Sequence, residues 1–378
     1  MRPPLNPLLP RLEGYMQERL NAVRDAALKN GKPVFDFGIG DPREPTPPFI
    51  REALKAAVPE VSQYPSSGGL PAVRKAAAGY LARRFQLSLD PDAEIIPCAG
   101  AKEALFHLPL IACSKERPLC FYPDPAYPVY ERAILFAGGV PRTMPLRAER
   151  AFVPDLDAIS ADEWRRTAIY FDNYPHNPTG AGAPRAYHEK LFALAREHGF
   201  IAVCDEPYVD LYVGQPPHSG LQIARENVIA IHSLSKRSGM TGYRSGFIAG
   251  EPALIASIKE ARANFGVASP NFVQLAAAAA WAEDADVAER RKLFADKRAL
   301  LLAHLRKLKL EVGGDGAFYL WVRVPEGETS DSWAQQLAAR NILVAPGHFF
   351  GPAGQGFVRL AMVPTLEDCR RAIEAWPG

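Results

Sequence analysis

The sequence has 378 residues, of which 48% are hydrophobic and 23% are charged, and its formal net charge is +2. A chain of this length can bury a large core and favours two joined domains, while the near-balanced charge, without a Lys- and Arg-rich block, predicts neither a nucleic-acid partner nor a membrane surface. No apolar run resembles a signal peptide or approaches the roughly 20 residues that span a bilayer, and the five cysteines form no Cys-x-x-Cys pair, so we expect a cytoplasmic protein without a disulfide framework or a bound metal.

The first two thirds of the chain alternate between helical and strand-like patterns. Residues 11–30 have the spacing of an amphipathic helix with a solvated face. From about residue 65 onward, short apolar runs typical of buried strands alternate with helical stretches such as 102–113 and 185–198. The predicted strands are Ile95–Cys98, Leu119–Tyr122, Ala168–Phe171, Ile201–Cys204, Val228–His232 and Phe247–Ala249. This alternation predicts an α/β fold with a mostly parallel central sheet and helices on both faces.

The pattern changes beyond about residue 270. Long helices over 272–309 are followed by a hairpin-like stretch at 311–324, and then by another helix and strand. A second, smaller α+β domain accounts for this change. We therefore predict a large domain over 46–270, with 1–45 and 271–378 forming an N-terminal arm and a small domain.

Polar residues follow five of the predicted strands. In a parallel sheet, ligands gather outside the carboxyl ends of the strands. The segments at these ends are Gly100-Ala101-Lys102, Asp124 to Tyr127, Asn173 to Gly180, Asp205 to Tyr208, and Ser233 to Lys236. Their convergence predicts a binding site for one phosphorylated heterocycle.

Lys236 follows a predicted buried strand, in a segment that also carries the hydroxyls of Ser233 and Ser235. In a confined site the pKa of a lysine amine falls, and the neutral amine can attack a carbonyl group. Arg244 comes eight residues later, between glycines that let the backbone approach a phosphate while the guanidinium binds it. A lysine taken alone is more often a solvated surface residue, so the prediction depends on these neighbours.

Asp205 ends an apolar run, so its carboxylate is expected to be buried and to need a cationic partner. A protonated pyridine nitrogen would be such a partner, and this pairing makes pyridoxal 5′-phosphate (PLP) an effective electron sink. Tyr208 and Asn177 would reach the phenolic oxygen of the same ring. The alternatives are a structural Asp205 paired with an arginine and an ordinary turn at Asn177-Pro-Thr-Gly.

Three further features fit such a site. Ala101 and Lys102 open a helix after a strand, where backbone N–H groups bind anions. Tyr127 would stack on a planar ring, although it could equally be a packed loop residue. Arg359, in Phe-Val-Arg-Leu-Ala, would bind a carboxylate through two hydrogen bonds if it faces the cleft, and would otherwise be an ion-pair residue.

Together these residues match a known pattern. Asn177-Pro-Thr-Gly, Asp205-Glu-Pro-Tyr and Ser233-Leu-Ser-Lys, followed by Gly-x-Arg244-x-Gly, resemble the signature of the class I/II aminotransferases of PLP fold type I. Their order and spacing agree, and the resemblance covers essentially the whole chain. It implies an aspartate-aminotransferase-like fold and a ping-pong transamination with PLP as the cofactor.

The resemblance also implies a role for each residue around the ring. Lys236 would hold PLP as a Schiff base and move the proton between the substrate α-carbon and the cofactor. Asp205 would hold the proton of the pyridinium. Tyr208 and Asn177 would bind the phenolic oxygen, and Tyr127 would stack on the ring.

The remaining implied roles concern the phosphate and the substrate. The phosphate would be held by the backbone of Ala101 and Lys102 and by Ser233, Ser235 and Arg244. Arg359 would bind the substrate α-carboxylate, helped by Asn177 and the backbone of Gly40. The family often carries Ser, Thr or Gln where this chain has Ala101 and Lys102, so whether the Lys102 side chain joins the site is open.

Tyr64, in Gln-Tyr-Pro-Ser-Ser-Gly-Gly, resembles the tyrosine that reaches the phosphate of the neighbouring subunit. The resemblance therefore implies a homodimer with shared active sites.

A finer resemblance concerns the substrate. Residues 233–250, 316–321, 64–69 and 102–106 are similar to the N-succinyldiaminopimelate aminotransferases of bacterial lysine biosynthesis. Their reaction exchanges an amino group between glutamate and a 2-oxo acid, with 2-oxoglutarate as the other product. Because both substrates carry extra carboxylates, Arg43 and Lys102 are candidate second anion sites, and the alternative for Arg43 is a solvent-facing loop charge.

Other functions use the same core residues. One is an aminotransferase for other amino acids, such as aromatic ones or LL-diaminopimelate itself. Another is a fold-type I β-lyase for cysteine conjugates. A PLP-binding sensor domain of a transcription factor is disfavoured, because the N-terminal segment is too short for a winged helix.

Overall fold

The computed structural model describes residues 5–9, 16–29, 31 and 33–377. Its helices are α1 (Met16–Leu28), α2 (Pro48–Ala57), α3 (Pro71–Phe85), α4 (Ala101–Ala112), α5 (Val129–Phe136), α6 (Ala161–Arg165), α7 (Arg185–His198), α8 (Leu234–Arg237), α9 (Pro252–Phe265), α10 (Asn271–Ala282), α11 (Ala285–Lys307), α12 (Ser330–Ala338) and α13 (Leu366–Ala375). Its strands are β1 (Phe35–Asp36), β2 (Ile95–Cys98), β3 (Leu119–Asp124), β4 (Val140–Pro145), β5 (Thr167–Asp172), β6 (Ile201–Asp205), β7 (Val228–Ser233), β8 (Gly246–Gly250), β9 (Val312–Gly313), β10 (Tyr319–Arg323), β11 (Ile342–Leu343), β12 (Ala345–Pro346) and β13 (Phe357–Ala361). Of the helix predicted over 11–30, residues 11–15 and 30 lie outside the described residues, and α1 covers most of the rest. No helix in the described part of the chain is both long and apolar enough to cross a bilayer.

Within the described residues, the main sheet has seven strands in the order β2-β8-β7-β6-β5-β3-β4. β8 is antiparallel to both of its neighbours, and the other pairs are parallel. The predicted α/β fold with a mostly parallel sheet is confirmed, and each predicted strand lies within an observed one.

The strands of this sheet are buried on both faces, as β7 illustrates. Val228 and Ala230 belong to a core cluster with side chains of α3 and α7, while Ile229 and Ile231 belong to another with side chains of α4 and α9. Burial of both faces explains why these strands appear in the sequence as continuous apolar runs.

The edge strand β4 is not predicted from the sequence. It contains Pro141 and Pro145, and most of its side chains are partly or fully exposed. Edge strands tolerate prolines and do not need an apolar run, so the pattern that identifies buried strands is missing here.

The C-terminal part contains a smaller sheet, in which the described strands follow the antiparallel order β12-β13-β10-β9 and β9 and β10 form the predicted hairpin. β1 pairs in parallel with β11 and so joins the N-terminal segment to this part. The helical stretch predicted over 272–309 divides into α10 and α11. α10 packs against α2 and α3, which belong to the predicted large domain. These contacts favour a domain boundary after Ala282, at the end of α10. The division at residue 270 stays a prediction.

Strand direction determines which residues meet. The carboxyl ends of the parallel strands lie at one edge of the main sheet, where ligands of such sheets bind. β8 runs in the opposite direction and begins at that edge, with Gly246 opposite both Cys98 and Ser233. Arg244, two residues before Gly246, is thereby brought to the same edge.

The short helix α8 carries Lys236 and is held by its neighbours. A helix of four residues has little stability of its own. The side chain of Ser233 caps its first turn. Arg237 is only 2% exposed. Its guanidinium donates to the carboxylates of Asp210 and Asp284 and to the carbonyl oxygens of Ala280 and Glu283. These contacts fix α8, and with it Lys236, against the junction of α10 and α11.

We expect Arg237→Met to lower the free energy of unfolding by about 3 kcal/mol, because it breaks a buried ion pair and leaves buried acceptors without a donor. Arg83 is a matched control: it binds the same Asp284 at 2.7 Å, but its side chain is 42% exposed. Arg83→Met should cost less than about 1 kcal/mol. Urea unfolding of both variants measures the difference, and equal losses would contradict the anchoring role of Arg237.

Candidate active site

One cleft, of about 560 Å³, lies where the ends of the parallel strands meet residues of the C-terminal part. Its lining contains most of the predicted site residues: Gly40, Ala101, Lys102, Tyr127, Asn177, Asp205, Tyr208, Ser233, Ser235, Lys236, Arg244 and Arg359. Segments far apart in the sequence therefore come together as the strand order leads us to expect.

Lys236 points into this cleft from α8. Its Nζ donates a hydrogen bond to the carbonyl oxygen of Gly40 and lies 5.5 Å from the centre of the Phe318 ring. Burial lowers the pKa of the amine to about 8, although the nearby carboxylate of Asp41 raises it. An amine with this pKa is neutral in about a tenth of the molecules at pH 7, far more than an ordinary lysine, and a neutral amine is a nucleophile.

Asp205 presents a buried carboxylate with one unused oxygen. Tyr130 donates a hydrogen bond to its Oδ2 at 2.6 Å. No described residue hydrogen-bonds the buried Oδ1. Burial raises the pKa of the carboxyl group to about 7, and the hydrogen bond from Tyr130 only partly opposes this. A cationic N–H group placed at Oδ1 would supply the missing partner.

Arg359 and Asn177 lie together in the lining of the cleft. Arg359 is buried, and its guanidinium donates to Oδ1 of Asn177 at 2.9 Å and to the carbonyl oxygen of Gly38 at 2.6 Å. Because the amide oxygen of Asn177 accepts from Arg359, its amide nitrogen is left to donate to a ligand. A buried guanidinium facing a cleft is suited to bind a carboxylate.

The other end of the cleft is suited to an anion. Ala101 is the first residue of α4, whose N-terminal N–H groups face this end. The Arg244 guanidinium donates to the carbonyl oxygens of Thr241 and Ala99, at 2.9 and 3.2 Å. Gly100 has φ +84°, and a Cβ on it would lie 2.7 Å from Arg244 Nη2. The positive φ favours glycine at this turn, and the absent side chain leaves room for the Arg244 guanidinium.

The sequence profile of the family described as Aminotransferase class I and II matches residues 32–375. The chain belongs to this family. The resemblance inferred from the motifs is confirmed, and so are the transaminase activity and the cofactor, PLP.

Individual aminotransferases match over nearly the whole chain. An LL-diaminopimelate aminotransferase of Aquifex aeolicus is 38% identical over 96% of both chains, and relatives of the same name from other bacteria are 34–37% identical. Among solved structures, aspartate aminotransferase from Thermus thermophilus with maleate has a TM-score of 0.90, 29% identity and 99% coverage of both chains. A second Thermus thermophilus protein, described as a probable N-succinyldiaminopimelate aminotransferase, has a TM-score of 0.87 and 30% identity, covering 96% of this chain and all of its own.

The geometry of the cleft fits the family's cofactor. The unpartnered oxygen of Asp205 matches a protonated ring nitrogen, and the helix start at Ala101 with Arg244 matches a phosphate. Lys236 lies in the same lining, with an amine whose pKa is lowered. Among the described residues there is no cluster of His, Cys, Asp and Glu side chains able to hold a metal ion.

Two predicted site residues are not in the lining. Arg43 is exposed to solvent, so its proposed contact with a substrate stays a prediction. Tyr64 is fully exposed, and its predicted role concerns a neighbouring subunit rather than the cleft of its own chain.

Three residues of the site were not singled out from the sequence. Tyr130 binds Asp205 from α5. Asn173 donates to the carbonyl oxygen of Asp205 at 2.7 Å and accepts from the backbone N–H of Asn177 at 2.9 Å, which ties two strand ends together. Tyr319 lines the cleft from β10. Asn173 and Tyr319 lie in segments that the sequence analysis selected, whereas nothing near Tyr130 distinguishes it from a core tyrosine.

The lowered pKa of Lys236 is testable in the cofactor-free protein. We expect reductive methylation of Lys236 by formaldehyde to reach half of its maximal rate near pH 8, because only the neutral amine reacts. Peptide mapping measures this rate beside that of Lys55, whose side chain is 70% exposed and serves as the internal reference. A midpoint for Lys236 above pH 10 would contradict the effect of burial.

Proposed function

We propose that this chain is an aminotransferase for dicarboxylic amino acids, with LL-diaminopimelate as the amino donor and 2-oxoglutarate as the acceptor. The observation that carries the proposal is a cation, Lys102, in the lining of the same cleft as Arg359. The name shared by the relatives at 34–38% identity supports the choice of donor. N-succinyl-LL-diaminopimelate is the second candidate, favoured by the sequence motifs and by the 30% identical Thermus structure.

The contacts and the family resemblance support the following proposed roles. When bound, PLP withdraws electrons from the substrate α-carbon and so acidifies its proton. The Lys236 amine would bind the cofactor and then carry that proton, since its pKa lies near working pH. The Asp205 carboxylate would keep the ring nitrogen protonated through its unused Oδ1. Tyr208 and the amide nitrogen of Asn177 would donate to the phenolic oxygen.

The remaining groups would bind and orient. Tyr127, half-buried at the end of β3, would stack on the ring. The phosphate would be held by Ser233, Ser235, Arg244 and the first N–H groups of α4. Arg359 would bind the α-carboxylate, because its buried guanidinium already contacts Asn177 and the carbonyl of Gly38.

We also propose a homodimer. Tyr64 is fully exposed in the single chain, and Val58 and Val61 nearby are also largely exposed. Apolar side chains grouped in this way are typical of surfaces that bind a partner. In the dimer, Tyr64 would complete the phosphate site of the partner subunit.

A comparison of amino donors tests the substrate. With 2-oxoglutarate as acceptor, we expect kcat/KM for LL-diaminopimelate to exceed that for phenylalanine at least about tenfold, since a second anion site is worth about 1.4 kcal/mol or more. Glutamate formation, followed with glutamate dehydrogenase, measures each rate. A higher value for N-succinyl-LL-diaminopimelate would move the assignment to the second candidate, and a higher value for phenylalanine would refute both. Pyruvate released from cystathionine would indicate a β-lyase.

The role of Lys102 has its own test. Lys102→Met keeps the backbone that opens α4 but removes the charge, so we expect KM to rise about tenfold for 2-oxoglutarate and to change little for pyruvate, which lacks the second carboxylate. Lys55→Met is the control: its side chain is 70% exposed and outside the cleft lining, so neither KM should change. Equal effects of Lys102→Met on both oxo acids would show that Lys102 does not bind the distal carboxylate.

A further inference from the structure

Tyr319 lies at the meeting point of three groups with proposed roles. It is a buried residue of β10, and its hydroxyl is 2.8 Å from that of Tyr208. The guanidinium carbon of Arg359 lies 4.6 Å from the centre of its ring. A Cβ on Gly40, whose carbonyl oxygen accepts from Lys236, would lie 2.9 Å from the Tyr319 hydroxyl.

The smaller sheet places the ring of Tyr319 beside Arg359. Trp321 is directly opposite Arg359 in the antiparallel β10–β13 pair, so the two side chains lie on the same face. Tyr319 is two residues before Trp321 and therefore points to that face as well. A guanidinium over an aromatic ring is attracted to it, and this contact limits the directions that Arg359 can adopt.

The hydrogen bond between the hydroxyls of Tyr208 and Tyr319 has one donor and one acceptor. Burial raises the pKa of both Tyr208 and Tyr319, so each keeps its proton at neutral pH. Only one of the two protons can lie between the oxygens. If Tyr208 donates to the phenolic oxygen of the cofactor, its own oxygen must accept, and Tyr319 must be the donor.

We propose that Tyr319 is a positioning residue: its hydroxyl donates to Tyr208 and directs the Tyr208 proton toward the cofactor, while its ring orients Arg359 toward the substrate carboxylate. This inference rests on the proposed role of Tyr208. Each hydrogen bond in such a chain polarises the next, so Tyr208 becomes a stronger donor than it would be alone. One side chain thereby couples the cofactor's phenolic oxygen to the group that binds the substrate.

The close approach of Gly40 to the Tyr319 hydroxyl supports the proposed positioning role of Tyr319. Any other residue at position 40 would place its Cβ 2.9 Å from the Tyr319 hydroxyl, so that either the backbone or the hydroxyl would have to shift. Gly40 lies in the segment after β1, and Tyr319 lies in β10, so the space between them is set by two different parts of the chain.

The test follows the visible absorption of the PLP-loaded protein as the pH is raised. The pH at the midpoint of the absorption change is compared between variants. A stronger donor at the phenolic oxygen stabilises negative charge there, so the proton shared with the Lys236 nitrogen leaves at lower pH. Tyr208→Phe should therefore raise the midpoint by about one pH unit, and Tyr319→Phe by about 0.3–0.5 unit. In the double variant, Tyr319→Phe should add nothing, because its effect passes through the Tyr208 hydroxyl.

A second variant separates the ring from the hydroxyl. Tyr319→Phe keeps the ring, so KM for the amino donor should stay within about twofold, whereas Tyr319→Leu should raise it about fivefold by removing the contact with Arg359. Near-UV circular dichroism checks that both variants are folded.

The outcomes distinguish two failures. A midpoint that Tyr208→Phe leaves unchanged would refute the proposed role of Tyr208, and with it this inference. A midpoint that moves in Tyr208→Phe but not in Tyr319→Phe, or that moves equally in Tyr319→Phe with and without the Tyr208 hydroxyl, would overturn the inference about Tyr319 alone.

Discussion

The direction of the strands in the main sheet is the constraint on which the site depends. Apart from β8, these strands run parallel, so their carboxyl ends share one edge. Side chains from segments far apart in the sequence can meet only because of this shared direction. The reversed strand β8 adds to the effect, since it begins where its neighbours end and brings Arg244 beside the start of α4. The topology therefore fixes which segments line the cleft, and their side chains supply its cationic and acidic groups.

Burial then prepares two side chains of this cleft for opposite tasks. It raises the pKa of Asp205 to about 7 and lowers that of Lys236 to about 8. Both shifts have the same cause, because burial makes charge costly. A pyridinium beside Oδ1 of Asp205 removes that cost for the carboxylate, so cofactor binding and folding favour each other. The lysine keeps a proton affinity near neutrality, which suits a group that must both accept and return a proton.

The sequence predicts those parts of the molecule whose signal is local. Strands buried on both faces appear as apolar runs, and the residues after them could be named before their surroundings were known. β4 lacks such a run because it lies at the edge. Tyr130 and Tyr319 depend on contacts between distant segments, which a single sequence does not contain. Arg43 lies three residues after Gly40 in the chain but outside the cleft lining, and its contact with a substrate stays a prediction.

The positions of the motif residues also explain why the sequence motifs favour N-succinyl-LL-diaminopimelate as the substrate, whereas the names of the relatives favour LL-diaminopimelate. Lys236 and Arg244 line the cleft, and Tyr319 lies between Tyr208 and Arg359. In the proposed function these residues would contact what every substrate of the family shares: the cofactor and the α-carboxylate. They constrain the reaction but carry little information about the distal end of the substrate. Discrimination must come from groups beyond them, and the proposed function assigns it to Lys102, which lies in the first turn of α4 and in the cleft lining. A side chain in that position can change substrate preference without disturbing the residues by which the family is recognised.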